Sequence, residues 1–130
     1  MNYYVYGNHH RLCLDLTICN QEFDKELIDF CVSRNLRESD GVACAYYNGT
    51  LAGFFRFDID AVDGTMYTNG TYILPNHRGM GVAPELWGRA FRKRKPAKVV
   101  AVVTSQGGEK LITKMKRFYP NIRFCESVQI

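Results

Sequence analysis

The chain has 130 residues, 46% of them hydrophobic and 23% charged, with a formal net charge of +4. Such a chain makes one domain, residues 1–130, with a core large enough to need no disulfide or metal staple. No apolar run approaches the ~20 residues that span a bilayer, and the start from Met1 to Leu12 lacks the basic-then-apolar layout of a secretory signal. A cytoplasmic protein with no membrane partner is therefore expected.

The charge is unevenly spread. Residues 1–65 hold 5 Lys/Arg against 10 Asp/Glu, and residues 66–130 hold 12 against 3, so the halves carry −5 and +9. The basic half suits an anionic partner, and the acidic half a cationic substrate. The five cysteines (Cys13, Cys19, Cys31, Cys44 and Cys125) form no C-x-x-C pair and are odd in number. That argues for reduced, mostly buried thiols and against a disulfide framework or a cysteine zinc site. His9-His10 is the only histidine pair, and no third ligand has suitable spacing, so no metal is expected.

In chain order, Leu12, Leu14, Leu16 and Ile18 alternate with more polar or smaller neighbours, the period of a half-buried strand. Phe23, Leu27, Phe30 and Cys31 then fall on one face of a helix over 22–34. Val42–Tyr47 and Leu51–Ile59 flank Asn48-Gly49, two residues that tolerate the positive φ of a tight hairpin turn. Asp63-Gly64 is a second such turn, and Met66–Leu74 completes a three-strand meander. Pro75 ends that strand, because it cannot donate to the ladder.

A helix begins near Pro84, with Leu86, Trp87, Ala90 and Phe91 as its apolar stripe and Pro96 as its stop. The β-branched run in Lys98–Thr104 reads as a strand buried on both faces. Gly107-Gly108 opens a helix that Pro120 ends, and Ile122–Val128 is a last strand. The order predicts an α/β (α+β) fold, a mixed and largely antiparallel central sheet with helices on both faces.

The chemistry concentrates between the meander and the helix. Gly79 and Gly81 let the backbone turn sharply and approach a ligand with no Cβ in the way. Several amides then point one way at a helix N-terminus, and Arg78 adds a cation. Such a nest holds a pyrophosphate. The bland alternative is a tight turn with a solvated Arg78. His77, within the turn, either touches phosphate or is an exposed loop histidine. No Lys-Ser/Thr follows the glycines, which disfavours a nucleoside triphosphate. Ser105 is no hydrolase nucleophile, since no G-x-S-x-G elbow surrounds it.

The segment TYILPNHRGMGVAPELWGRAF resembles the central acetyl-CoA-binding motif of the GNAT N-acyltransferase superfamily. The element order resembles that fold over most of the chain, and the specific residues lie in 72–91. The resemblance implies acetyl-CoA as acyl donor, with direct acetyl transfer to the amine of an acceptor, a small molecule or a protein. It implies that the backbone of Tyr72, Ile73 and Leu74 pairs with the pantetheine arm, in a gap where this strand splays from Lys98–Thr104. It implies that the amides of Arg78, Gly79, Met80, Gly81, Val82 and Ala83 hold the pyrophosphate, and that Ser105 touches the pantetheine. The stretch 92–98 would lie within reach of the 3′-phosphate ADP end.

The family's next helix often carries a tyrosine that protonates the departing thiolate. Counting back from Phe124 gives Tyr119; counting forward from Ser105 gives Ile112, which cannot serve. The family often uses a carboxylate on the strand here spanning Met66–Leu74, which contains none. Asp58 and Asp60 are the nearest acidic residues, and Asp60 is taken as the base. The acidic Glu38 and Asp40 favour a cationic acceptor. The missing strand carboxylate motivates an alternative, an inactive GNAT-like module that binds CoA or uses the basic stretch 92–98 to meet an acidic protein or nucleic acid. A nucleic-acid partner is the less favoured of these, and a homodimer is allowed.

Overall fold

A computed structural model of the chain describes residues 1–7, 41–103 and 106–128. The strand expected around Leu12–Ile18, the helix over 22–34, His9-His10 and Ser105 lie outside the described residues. Within them the order is β1 (Asn2–Tyr6), β2 (Gly41–Tyr47), β3 (Thr50–Ile59), β4 (Met66–Ile73), a 3-10 turn (Pro75–His77), α1 (Val82–Arg94), β5 (Lys98–Val103), α2 (Gln106–Phe118) and β6 (Arg123–Val128). The six strands form one sheet in chain order. Strands β1 to β4 run antiparallel, and β4, β5 and β6 run parallel to their neighbours.

The meander forms where the turn residues place it. Asn48 and Gly49 both have positive φ, 51° and 79°, as a tight hairpin turn demands. At the second turn, the Asp60 carboxylate accepts the amides of Val62 and Asp63, at 2.7 and 3.4 Å. The Asp63 carboxylate accepts the amide of Thr65 at 2.9 Å. These side chains satisfy loop amides that no strand can reach.

Strand β1 was not expected from the sequence. Its residues pair Asn2 with Tyr46 through Tyr6 with Val42, at the edge of the sheet. Tyr4 stacks on Tyr6 and meets Tyr46 edge-on. The strand is specified by this partner surface more than by its own short pattern.

The core lies between the sheet and the two described helices, which pack against the same face. Phe55, Phe57, Met66, Val99 and Ala101 from the sheet meet Leu86, Trp87, Phe91, Ile112 and Met115 from the helices. Phe55 stacks on Trp87 with centroids 4.9 Å apart, and Phe91 packs edge-on against Trp87, Tyr119 and Phe124. By strand alternation Val42, Cys44, Phe54 and Arg56 point to the opposite face, where all four are also buried. Among the described residues, no helix is long and apolar enough to cross a membrane.

Helix α1 starts at Val82 on a left-handed Gly81. Pro84 therefore sits third in the helix, where an amide would have no intrahelical acceptor in any case. At the other end, the left-handed Lys95 closes the helix by donating its amide to the Phe91 carbonyl.

Candidate functional site

Strand β4 touches β5 only through Met66, Tyr67 and Thr68, which pair with Val99, Val100 and Ala101. Beyond Thr68 the two strands part. The cause is written in the pairing of β4 with β3. Phe57 opposes Thr68 and Arg56 opposes Gly70, so Asn69 is an extra residue. Such a bulge bends its strand and increases the local twist, and here it turns the far half of β4 away from β5.

The far half of β4 stays attached elsewhere. The Trp87 indole donates to the Thr71 hydroxyl at 2.8 Å, and the Leu74 amide donates to the Ala52 carbonyl at 2.9 Å. Because Leu74 bonds toward β3, ladder alternation aims the amide and carbonyl of Thr71 and Ile73 the other way, into the gap. The Ile73 carbonyl accepts Arg78 Nε at 2.9 Å. The Arg78 guanidinium lies 5.6 Å from the Tyr72 ring centre, and that ring stacks on Phe54. Arg78 is thus folded back along β4 rather than extended over the turn.

The gap opens onto the glycine turn. Gly79 and Gly81 have φ of 75° and 79°, and a Cβ at either would meet nothing within 4 Å. The amides of Gly79, Met80, Gly81, Val82 and Ala83 donate to no backbone acceptor among the described residues, and no side chain caps the helix. A groove of about 310 Å³ runs past these residues, lined by Ile73, His77, Arg78, the glycines, Val82, Ala83, Pro84 and Lys114. Unpartnered amides at a helix start, open space and a nearby ammonium suit an anion.

Lys114, on α2, is the feature that motif reading missed. Its signal was present, because Lys110, Lys114 and Arg117 recur at helical spacing opposite the buried Ile112 and Met115. Arg89 and Arg92, in contrast, both bond the Glu85 carboxylate, at 2.7 and 3.1 Å. The stretch 92–98 follows, ~20 Å along α1 from Gly81. That is a correction: the basic stretch lies away from the groove rather than beside it.

The two residues expected to handle protons sit elsewhere. Asp60 holds the turn between β3 and β4, at the end of β4 opposite to the gap. Tyr119 accepts a hydrogen bond from Arg92 Nη1 at 2.7 Å, and its ring packs on Phe91. None of these partners belongs to the turn or to the parted strands. Asp58 is placed differently. Phe55 and Phe57 face the helices, so Asp58 faces the other side of the sheet. There its carboxylate accepts the Asn69 side-chain amide, at the bulge itself. Arg56, two residues earlier on the same face, is buried.

Burial, and then the nearby Glu85 carboxylate, raise the Tyr3 phenol above its ordinary value. Hydrogen bonds from the Thr65 amide and hydroxyl lower the Asp63 carboxyl. Neither lies in the groove. Among the described residues, no group of three or more His, Cys, Asp or Glu is placed to hold a metal.

The sequence of residues 9–116 matches the family model described as "Acetyltransferase (GNAT) family". The chain belongs to the GNAT family. The match covers most of the chain, and solved structures agree in fold. The ribosomal-protein-alanine N-acetyltransferase from Brucella melitensis biovar Abortus 2308 is 21% identical with a TM-score of 0.60, over 88% of this chain and 91% of that one. The aminoglycoside N-acetyltransferase AAC(6′)-Iy in complex with CoA is 20% identical with a TM-score of 0.57, over 99% and 95%. A GNAT family acetyltransferase from Brucella melitensis in complex with acetyl-CoA is 11% identical with a TM-score of 0.56, over 84% and 80%. No curated protein sequence matches the chain.

The chain is accordingly an acetyltransferase, and acetyl-CoA is the donor its family implies. The residues present fit that donor. The five unpartnered amides and the open space before Gly79 and Gly81 suit its pyrophosphate. The gap-facing backbone of Thr71 and Ile73 suits an extended amide-bearing arm.

Proposed function

We propose that this GNAT acetyltransferase moves the acetyl group of acetyl-CoA directly to the amine of an acceptor. The observation that carries this reading is the bulge at Asn69. It opens β4 from β5 beside a turn of unpartnered amides, one continuous path for an anionic head and an extended tail. In this reading the amides from Gly79 to Ala83 hold the pyrophosphate, and Tyr72, Ile73 and Leu74 supply the backbone beside the arm. Arg78 would have to release the Ile73 carbonyl for the arm to use it. Acetyl-CoA supplies an activated acetyl thioester; the protein supplies position and proton handling.

An amine attacks a thioester only when it is neutral. Asp58 takes over from Asp60 as the proton acceptor in this proposal, because its carboxylate stands at the bulge and Asp60 stands at the far turn. Tyr119 is assigned the pinning of α2 to α1 in place of proton donation. Of the three similar structures, one is a ribosomal-protein-alanine N-acetyltransferase and another an aminoglycoside N-acetyltransferase. Both names describe transfer to nitrogen, and the acidic first half of this chain suits a cationic amine.

The test is thiol release from acetyl-CoA with a panel of aminoglycosides, polyamines and peptides with free α-amines. Turnover with at least one amine, lost in Asp58→Asn with donor affinity kept, is the expected result. Turnover unaffected by Asp58→Asn and abolished by Asp60→Asn would remove Asp58 from its role.

A further inference from the structure

The basic stretch that leads from α1 into β5 lies away from the donor groove, and no step of the proposed reaction uses it. Part of its charge is engaged within the protein. Arg92 bonds Glu85 and Tyr119, and Arg94 lies over the Phe57 ring. Lys93, Lys95 and Lys98 form no ion pair among the described residues, and neither does Arg123 at the start of β6.

The fold gathers these four cations at one end. Strands β5 and β6 are parallel, so Lys98 and Arg123, their first residues, lie side by side. The Arg123 amide donates to the Ala97 carbonyl at 2.9 Å, which ties the start of β6 to the residues that follow α1. Met66, at the start of β4, pairs with Val99, whereas the glycine turn follows the end of β4. The cationic end is therefore opposite to the donor turn.

Two observations set this end apart from an ordinary solvated helix terminus. Lys95 closes α1 at φ 50° and ψ 54°. That left-handed region suits glycine, and asparagine to a lesser degree, because a larger side chain crowds the backbone there. The other non-glycine residue with positive φ among the described residues is Asn48, in its hairpin turn. The second observation is electrostatic. Lys98 and Arg123 oppose each other across the ladder, and like charges so placed repel. The Asp63 carboxyl is lowered first by its hydrogen bonds from Thr65 and further by the Lys98 charge, but it closes no ion pair with that lysine. A strained backbone and a repelling pair thus coincide, and what both provide is positive charge toward solvent.

We infer that Lys93, Lys95, Lys98 and Arg123 form a docking surface for nucleic acid, which they would hold by its phosphodiester backbone. The groove at the turn, the cavity along α2 and the cavity beside the Asn48-Gly49 hairpin contain none of the four. An acidic peptide needs a groove or a buried anchor to hold it. A nucleic acid is held through its phosphates alone. The surface therefore favours phosphodiester over an acidic protein. The turn carrying Asp60 and Asp63, at the same end of the sheet, bounds it on the β3 side.

Fluorescein-labelled single strands of about 20 nucleotides, RNA and DNA of one sequence, are titrated by anisotropy, with polyglutamate as a third ligand. Wild type is expected to bind RNA, with affinity falling about fiftyfold for a fourfold rise in salt, the slope of about four phosphate contacts. Lys98→Gln/Arg123→Gln should weaken RNA binding about twentyfold. Lys95→Gly is the sharper variant, because it removes a cation and the backbone strain together. It should melt no lower than wild type and bind RNA about fivefold more weakly. Unchanged affinity in Lys95→Gly overturns the inference. Lys110→Gln/Arg117→Gln, on α2, should stay within about twofold of wild type. A loss there as large as in Lys98→Gln/Arg123→Gln overturns the inference, and so does displacement of RNA by excess CoA, which would put the RNA in the donor groove. Polyglutamate bound as tightly as RNA overturns it in favour of an acidic protein. RNA and DNA bound alike support a surface that reads the backbone only, and a preference for RNA supports one that also meets the ribose hydroxyl. Binding of neither strand by wild type overturns the inference.

Discussion

The two described helices are both strongly basic on their exposed sides, yet their charges do different work. On α1 the arginines are spent inside the protein. Arg89 and Arg92 bond Glu85, Arg92 also holds the Tyr119 hydroxyl, and Arg94 lies over the Phe57 ring. On α2, Lys110, Lys114 and Arg117 form no ion pair among the described residues, and Lys114 lines the groove at the turn. A charge count treats the helices alike. What separates them is whether the cations actually bond a carboxylate, as Arg89 and Arg92 bond Glu85, and where the face points in the fold.

The largest expected effect comes from the place where both helices matter least and the turn most. Gly81→Trp forces a bulky residue into a backbone at φ 79° and fills the space before the amides. Calorimetry should show CoA affinity falling by at least about a hundredfold, the order of magnitude for losing several charge-assisted hydrogen bonds. An unchanged affinity would detach the turn from the donor.

Next come the lysines. Lys114→Ala should weaken CoA about tenfold, while Lys93→Ala on α1 should change it less than about twofold, as for a screened surface charge. Equal losses would erase the contrast between the helices. Salt sharpens the same point, since raising ionic strength should weaken CoA more for wild type than for Lys114→Ala.

The α1 network should report on stability alone. Tyr119→Phe removes an exposed hydrogen bond to Arg92 and should cost about 1 kcal/mol or less in denaturant unfolding. Turnover should be retained. A stable variant with no turnover would restore Tyr119 as proton donor and break the separation drawn here.

The smallest effect lies at the far end of β4. The Thr65 amide and hydroxyl hold Asp63 below the ordinary carboxylate range. A lowered folded value means the contribution is present above the unfolded pKa and fades as pH falls through the folded one. Asp63→Asn should flatten the acid limb of the stability profile and leave CoA binding untouched.

Much of this architecture was legible because local rules and the fold agreed. Asn48-Gly49 needed positive φ and has it; Pro75 and Pro96 stop their elements; the run within Lys98–Val103 forms a strand between two others of the sheet. The turn was legible for the same reason. Strand β1 was not, since its tyrosines acquire meaning only against Tyr46. The bulge left one trace, an Asn-Gly pair at 69–70 inside a strand pattern, which is a known mark of a bulge. Without the register that pair points to no particular carboxylate, and proximity in sequence points to Asp60 as readily as to Asp58. The place of Lys114 is not legible in the sequence, because the groove it lines is formed by two elements that are distant in sequence and meet only in the fold.

Amide chemical shifts in a protein labelled with nitrogen-15, followed during titration with CoA, test the central claim most directly. The amides of Gly79, Gly81, Val82 and Ala83 should shift most, those of Lys110 to Arg117 next, and those of Arg92 to Lys98 scarcely at all. Shifts concentrated on residues 92–98, with the glycine turn unmoved, would contradict the account.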